Sequence, residues 1–191
     1  AWQRLHAYAF GGGGIGVFLG PSADPLAEFN SPAALDLLPG KLLRQARYPD
    51  GELYLAPNTF EHPLLAPFRL RAGSIPWIDF PIFRYWQLEV AGGNVTSLVP
   101  FSNGQPALLE RIVGAGRVLT LTTPVSQTQD EYEQDETRWN YGTGPLPCFL
   151  LVNEMALYLS GNSDAHVNYL AGEDAVLKLP VGAKVDTCLL T

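Results

Sequence analysis

Four consecutive glycines, Gly11 to Gly14, join two stretches of different period, and that junction constrains the fold more than any other feature of the chain. Before it, Trp2, Leu5, Tyr8 and Ala9 recur at three- and four-residue spacing, which predicts an amphipathic helix over Ala1 to Phe10 that the glycines end. After it, Ile15 to Leu19 is short, apolar and bounded by glycine on both sides, the pattern of a central strand covered on two faces. A helix that passes through glycine into a buried strand indicates an α/β domain.

The remaining chain adds mostly β structure. With 191 residues, 47% of them hydrophobic, it can bury a real core, and 19 Gly with 16 Pro favour many short elements over a helical bundle. Ser31-Pro32 offers an N-cap and first-turn proline for a short helix through Leu38, stopped by Pro39-Gly40. The turn residues Tyr48 to Glu52 separate Leu42–Tyr48 from Glu52–Ala56, which predicts a hairpin. Ile75 to Val90 reads as an irregular edge followed by a strand over Arg84–Val90. Val95–Phe101, Ala107–Val113 and Val118–Thr123, separated by Asn103-Gly104 and Gly114-Ala115-Gly116, predict an antiparallel meander. Pro145 to Ser160 predicts a helix apolar nearly all round and buried on more than one side. Residues 1–161 are thus one α/β domain, and 162–191 begin a β-rich C-terminal segment, with β-like stretches at Ala175–Leu179 and Lys184–Leu190.

Charge and motif readings exclude several functions. A net charge of −7 with twelve basic residues spread thinly opposes phosphate polyanions, so nucleic acid is not an expected partner. The longest apolar run, Cys148 to Leu159, is shorter than the roughly 20 residues that span a bilayer, so no membrane insertion is expected of it. Gly11, Gly13 and Gly16 spell G-x-G-x-x-G, but a dinucleotide site needs a strand before the glycines and a helix after, and here the order is reversed. His6, His62 and His166 lack i+4 partners, and Cys148 and Cys188 lack zinc spacing, so no metal or cofactor is expected. The acidic stretch Asp130 to Glu136 lacks the glycine of a calcium loop and reads as solvated. The apolar neighbours of Cys148 would raise its thiol pKa and hide it.

Two groups remain as candidate contacts. Trp77, Phe80, Phe83, Tyr85 and Trp86 form an aromatic set that reads as core, with a sugar-stacking platform as the other option. Trp139, Asn140 and Tyr141, beside the acidic loop, read as an exposed binding contact. Asp79 and Glu89 lie among aromatics, and a glycosidase-like carboxylate pair could come from such dispersed positions.

Several phrases together resemble a family. They are Ala7-Tyr8-Ala9-Phe10 with the glycines and Val17 to Pro21; His62 to Phe68; Phe83-Arg84-Tyr85-Trp86; Gly104 to Leu108 with Gly114 to Val118 and Thr122-Thr123; Trp139-Asn140; and the helix from Pro147 to Leu159. This is similar to the class I glutamine-amidotransferase-like domain of bacterial Bat-type aerotolerance-regulator-like membrane proteins. The resemblance implies a flavodoxin-like, amidotransferase-type open sheet with helices on both faces, an antiparallel β addition and truncation at the N-terminus. It also implies a soluble domain of a membrane-anchored parent in the cell envelope. An active amidotransferase would carry a cysteine at a strand-to-helix elbow and a His-x-Glu pair. The histidines here read His6-Ala7-Tyr8, His62-Pro63-Leu64 and His166-Val167-Asn168, which departs from that pattern. The expected function is therefore a non-catalytic interaction domain whose partner is another protein or other domains of the same parent. The alternative is a hydrolase-like or carbohydrate-handling enzyme working through dispersed carboxylates.

Overall fold

The computed structural model describes residues 1–50, 52–71, 74–125, 138–140 and 146–161. Helix α1 (Trp2–Phe10) ends at the glycines and is followed by strand β1 (Gly14–Phe18), as the change of period predicts. Two short helices, α2 (Leu26–Phe29) and α3 (Pro32–Leu35), lead into β2 (Gly40–Arg47). The strands β3 (Arg84–Val90), β4 (Val95–Pro100), β5 (Pro106–Val113) and β6 (Gly116–Leu121) come next, and helix α4 (Leu146–Leu159) follows. Four strands make one mixed sheet in the order β1-β6-β5-β4, with β1 and β6 parallel and the meander β4-β5-β6 antiparallel. Strands β2 and β3 form a second, antiparallel pair.

The alternation of side chains along β5 sets the two layers around the larger sheet. Leu108 faces Leu121 across the ladder and Glu110 faces Leu119, and this face is covered by α4 through Leu151 and Met155 and by the segment carrying Leu53, Leu64, Leu65, Phe80 and Ile82. Leu109 points the other way, into a cluster with Leu38, Leu42 and Trp86. Ala9 of α1 packs on Val113 and Val118 at the end of that second face.

Four expectations are corrected. The predicted hairpin does not form: β2 pairs with β3, and Leu53 and Leu55 instead make single bridges to Ile82 and Phe101. Strand propensity marks an extended run but does not choose its partner, and here burial of Leu53 and Leu55 in the core decides the pairing. Strand β1 is not central; among the described residues it borders the sheet, half-buried rather than enclosed. Ser31 does not cap α3, because its hydroxyl donates to the Glu28 carbonyl at 2.8 Å. The other end of that turn is held by Arg111, whose Nη1 donates to the carbonyls of Leu35 (2.6 Å) and Leu38 (2.5 Å), orphan acceptors that a helix end leaves open. Finally, α4 is covered on one side only: Leu146, Phe149 and Leu157 are exposed. A wholly apolar helix matches burial all round in sequence, so the sequence alone does not show which flank stays open.

A bulge in β2 has a local cause. Asn30 grips Leu42, donating from Nδ2 to its carbonyl and accepting its N–H on Oδ1, both at 2.8 Å. With that backbone engaged, the ladder to β3 skips from Leu42 to Arg44 and Leu43 is turned outward. The expected segment 162–191, with Cys188 and His166, lies outside the described residues, as does the acidic stretch 130–136.

Candidate functional site

A strand that reads Ala107-Leu108-Leu109-Glu110 sends Leu108 and Glu110 to the same face, so a carboxylate enters the core beside leucines. Glu110 is buried there, and burial is costly for a charge unless donors surround it. Two arrive from distant parts of the chain. Tyr158 on α4 donates its hydroxyl to Oε1 at 2.7 Å, and His62, before the turn at 63–65, lies with Nε2 3.2 Å from Oε2. The His62 ring is about 20% exposed. Arg117 of β6 completes the group, its guanidinium carbon 4.5 Å from the centre of the Tyr158 ring.

The proton positions follow from the partners. His62 Nδ1 accepts the Leu64 N–H at 3.3 Å, so the ring proton sits on Nε2 and is donated to Glu110. Tyr158 has one proton and two nearby acceptors, and the 2.7 Å bond to Glu110 takes it in preference to the 3.4 Å approach to His62. Burial alone would raise the Glu110 pKa, but the hydrogen bonds from His62 and Tyr158, with the electrostatic pull of the His62 ring and of the Arg117 guanidinium, outweigh it, and the net direction is down. Burial and the neighbouring carboxylate push the Tyr158 phenol up to about 12, which keeps it a neutral donor.

This arrangement limits its own chemistry. A histidine working as general base needs a ring nitrogen open to substrate, whereas here Nε2 is spent on Glu110 and Nδ1 on the backbone. Both carboxylate oxygens are likewise engaged. What the group does is join three elements: it fastens the 53–82 segment and α4 to the centre of the sheet.

The residues singled out from sequence fall elsewhere. Trp139 and Asn140 are buried, not an exposed contact. The Asn140 side chain donates to Thr123 Oγ1 at 2.9 Å and to the Pro124 carbonyl at 2.6 Å, while Trp139 packs on Trp86 and its carbonyl accepts the Phe83 N–H. These bonds stitch the chain to the residue before β3 and to the residues that follow β6, and Tyr141 lies outside the described residues. Of the aromatic set, Trp77, Phe80, Tyr85 and Trp86 are core, as read. Asp79 sits exposed on the short turn at Trp77–Asp79, and Glu89 sits exposed near the far end of β3 opposite Lys41. The structure does not bring the two carboxylates together in a cleft.

Gly13, from the G-x-G spelling, is a packing device: a Cβ there would lie 2.3 Å from the Tyr8 ring. Among the described residues no three His, Cys, Asp or Glu side chains cluster closely enough to hold a metal ion.

Cys148 lies on the buried side of α4, and burial pushes its thiol up to about 12, as its apolar neighbours imply. At pH 8 in native buffer, iodoacetamide is expected to leave Cys148 unmodified over hours, and to alkylate it rapidly in urea. Peptide mapping by mass spectrometry reads the site, and fast native labelling of Cys148 would contradict the placement.

Fold and site together define a mixed α/β domain with a polar brace in its core. No protein-family model matches the chain, and no curated relative does. Two solved structures are similar to it in fold: the cytoplasmic proteins STM3548 of Salmonella typhimurium and STM1381 of Salmonella typhimurium LT2. Each is 19% identical with a TM-score of 0.57, over 82% and 85% of this chain respectively and 59% of theirs. This chain therefore spans under two thirds of their length. A cold-adapted β-galactosidase from Rahnella sp. R3 aligns at a TM-score of 0.49, with 11% identity over 83% of this chain and 20% of that one, too slight a likeness to carry an argument. The cell-envelope placement implied by the family resemblance is corrected by these findings, since both Salmonella proteins are cytoplasmic. No described helix is long and apolar enough to cross a membrane.

Proposed function

We propose that this domain is a non-catalytic interaction module that docks polypeptide on the side formed by α1, β1 and α4. The observation that carries the reading is the composition of that side. Tyr8, Phe18 and Phe149 stand 60%, 37% and 57% exposed, and the three elements together hold only Arg4 and Glu154 as formal charges in a chain of net charge −7. Depletion of charge together with exposed aromatics is the signature of an interface centre. The closed His62–Glu110–Tyr158 group speaks against the enzyme alternative, because its reactive atoms are spent on one another. The amidotransferase-type scaffold enters this proposal as architecture only, supported by the parallel β1–β6 pair with α1 and α4 on opposite faces.

Two measurements test it. Amide, ester and glycoside model substrates are expected to show no turnover above the uncatalysed rate, and turnover that disappears in Glu110→Gln would overturn the reading. Hydrogen–deuterium exchange over Trp2–Phe18 and Leu146–Leu159 is expected to slow when the dilute chain is placed in concentrated extract of its source cells, with β3 and β4 unaffected. Unchanged exchange over both stretches would also overturn it.

A further inference from the structure

We propose that Asn103 is a latent self-modification site: the Gly104 nitrogen attacks the Asn103 side-chain amide, and the folded chain holds that reaction back with a clamp of two tyrosines. None of the residues involved belongs to the docking side described above.

Of the eight asparagines in the chain, Asn103 alone is followed by glycine. With no Cβ on the following residue, its backbone nitrogen meets the least hindrance in approaching the carboxamide carbon of the asparagine before it. The Gly104 nitrogen gives its proton to hydroxide and forms a bond to Cγ. Nδ2 takes a proton from water and leaves as ammonia. Water then opens the five-membered imide at one of its two carbonyls, which yields aspartate or its β-linked isomer. Ser102 to Gln105 are exposed, so water and hydroxide reach the turn.

Folding engages the groups that this reaction needs. The Gly104 N–H donates to the Phe101 carbonyl at 2.8 Å, and the Phe101 N–H closes the turn again on the Gln105 carbonyl at 2.7 Å. Asn103 Oδ1 accepts the Gln105 N–H at 3.0 Å. Its Nδ2, the leaving group, donates to Tyr48 Oη at 2.9 Å and to Tyr85 Oη at 3.3 Å. Burial, the largest influence on Tyr85, pushes its phenol up, so this acceptor stays a neutral hydroxyl in mildly alkaline buffer. The Gln105 bond polarises the carbonyl and by itself would help the attack. Against it stand the held proton on Gly104 and an amide bonded to three residues, which must let go before the carbon can move onto the nitrogen.

The clamp also joins the two sheets. Tyr48 follows β2, Tyr85 belongs to β3, and Asn103 lies in the turn from β4 to β5. Tyr85 is buried, with the Tyr48 and Phe101 rings 6.0 and 4.6 Å from its own. Conversion replaces an amide donor by a carboxylate, so both phenols must change from accepting to donating. The β-linked product also adds a carbon to the main chain, inside a turn that Gly104 closes at φ +82°. A converted chain is therefore loosened at the seam between its sheets.

The test is incubation of the intact chain at pH 8 and 37 °C, native and in urea, with peptide mapping for the one-dalton gain and the β-linked isomer at position 103. Asn30, whose amide is bonded to Leu42 and whose follower is Ser31, is the comparison in the same digest. In urea Asn103 should convert faster than Asn30. In the native chain it should convert at least about 30-fold more slowly than in urea, since several hydrogen bonds must open together. Tyr48→Phe, which takes an acceptor from Nδ2, should raise the native rate about fivefold, the worth of one hydrogen bond. Ser102→Ala, in the same turn but outside the clamp, should leave it within about twofold. Acceleration by Tyr48→Phe at Asn103 with Asn30 unchanged supports the clamp, whereas equal acceleration at both marks general unfolding and overturns it. Native conversion as fast as in urea, or equal rates in the Tyr48→Phe and Ser102→Ala chains, likewise overturns the inference.

Discussion

Gly116→Ala is expected to lose at least about 3 kcal/mol of stability, a large share of the roughly 5–15 kcal/mol that keeps a typical domain folded. The residue opens β6 directly beneath the α1–β1 junction. A Cβ at position 116 would stand 2.2 Å from the Ala9 carbonyl oxygen and 2.3 Å from that of Gly13, distances that bonded geometry alone permits. Both obstacles are backbone, so no rotamer change can relieve the clash; the helix end and the strand must separate. Separation would cost the Gly13 carbonyl its bond to the Arg117 N–H and would lift Ala9 from its buried seat on Val113 and Val118. Ordinary overpacking costs about 1–3 kcal/mol because flexible side chains give way, and this site lies at or beyond the top of that range. Gly92→Ala is the matched control, since nothing lies within 4 Å of its Cβ position, and its urea midpoint should move little. Equal midpoints for the two variants would show that α1 does not sit on β6 as described.

The same junction shows what was legible in the sequence. The glycine run between a 3.6-residue period and an apolar pentapeptide marked both α1 and β1, because local period and local stops are carried by neighbouring residues. The meander was readable for a like reason: Asn103-Gly104 and Gly114 stand where strands must reverse, with Gly104 at φ +82° and Gly114 at φ +60°. Pairing across long separations was not readable. β2 has a turn directly after it, yet its partner lies more than 35 residues on, selected by burial of Trp86 and Leu88 and by the grip of Asn30 on Leu42. The polar brace was also missed, since its members stand 48 residues apart and none belongs to a short motif. One local signal existed. Glu110 shares the inward parity of Leu108 in a strand otherwise apolar on that face, and a carboxylate so placed needs donors from somewhere. Trp139 and Asn140 misled in the opposite sense, because polar neighbours in sequence suggested exposure while Asn140 was satisfying buried acceptors at 123–124.

Those missing donors make the acid side of the stability curve the most informative measurement on the brace. Glu110→Ala is expected to cost about 3 kcal/mol at pH 7: the Tyr158 hydroxyl loses its acceptor in the core, the His62 N–H loses its own, and the vacated methylenes leave a void. The partly exposed His62 can turn to water, which holds the cost below that of breaking a fully buried pair. Glu110→Gln should cost only about 1 kcal/mol, because its amide oxygen still accepts from Tyr158. Against pH the sign is fixed by the direction of the shift. The folded pKa of Glu110 lies below its ordinary 4.5, so its contribution is fully present above pH 4.5 and disappears as acid protonates the folded carboxylate. Other carboxylates titrate in the same range, so the quantity to follow is the gap in urea midpoint between the native chain and Glu110→Gln from pH 7 to pH 3. It should be constant from pH 7 to about 5.5 and then close toward pH 3. A gap that widened on acidification would mean the carboxylate is destabilised in the fold, and the donor assignments to His62 and Tyr158 would have to be abandoned.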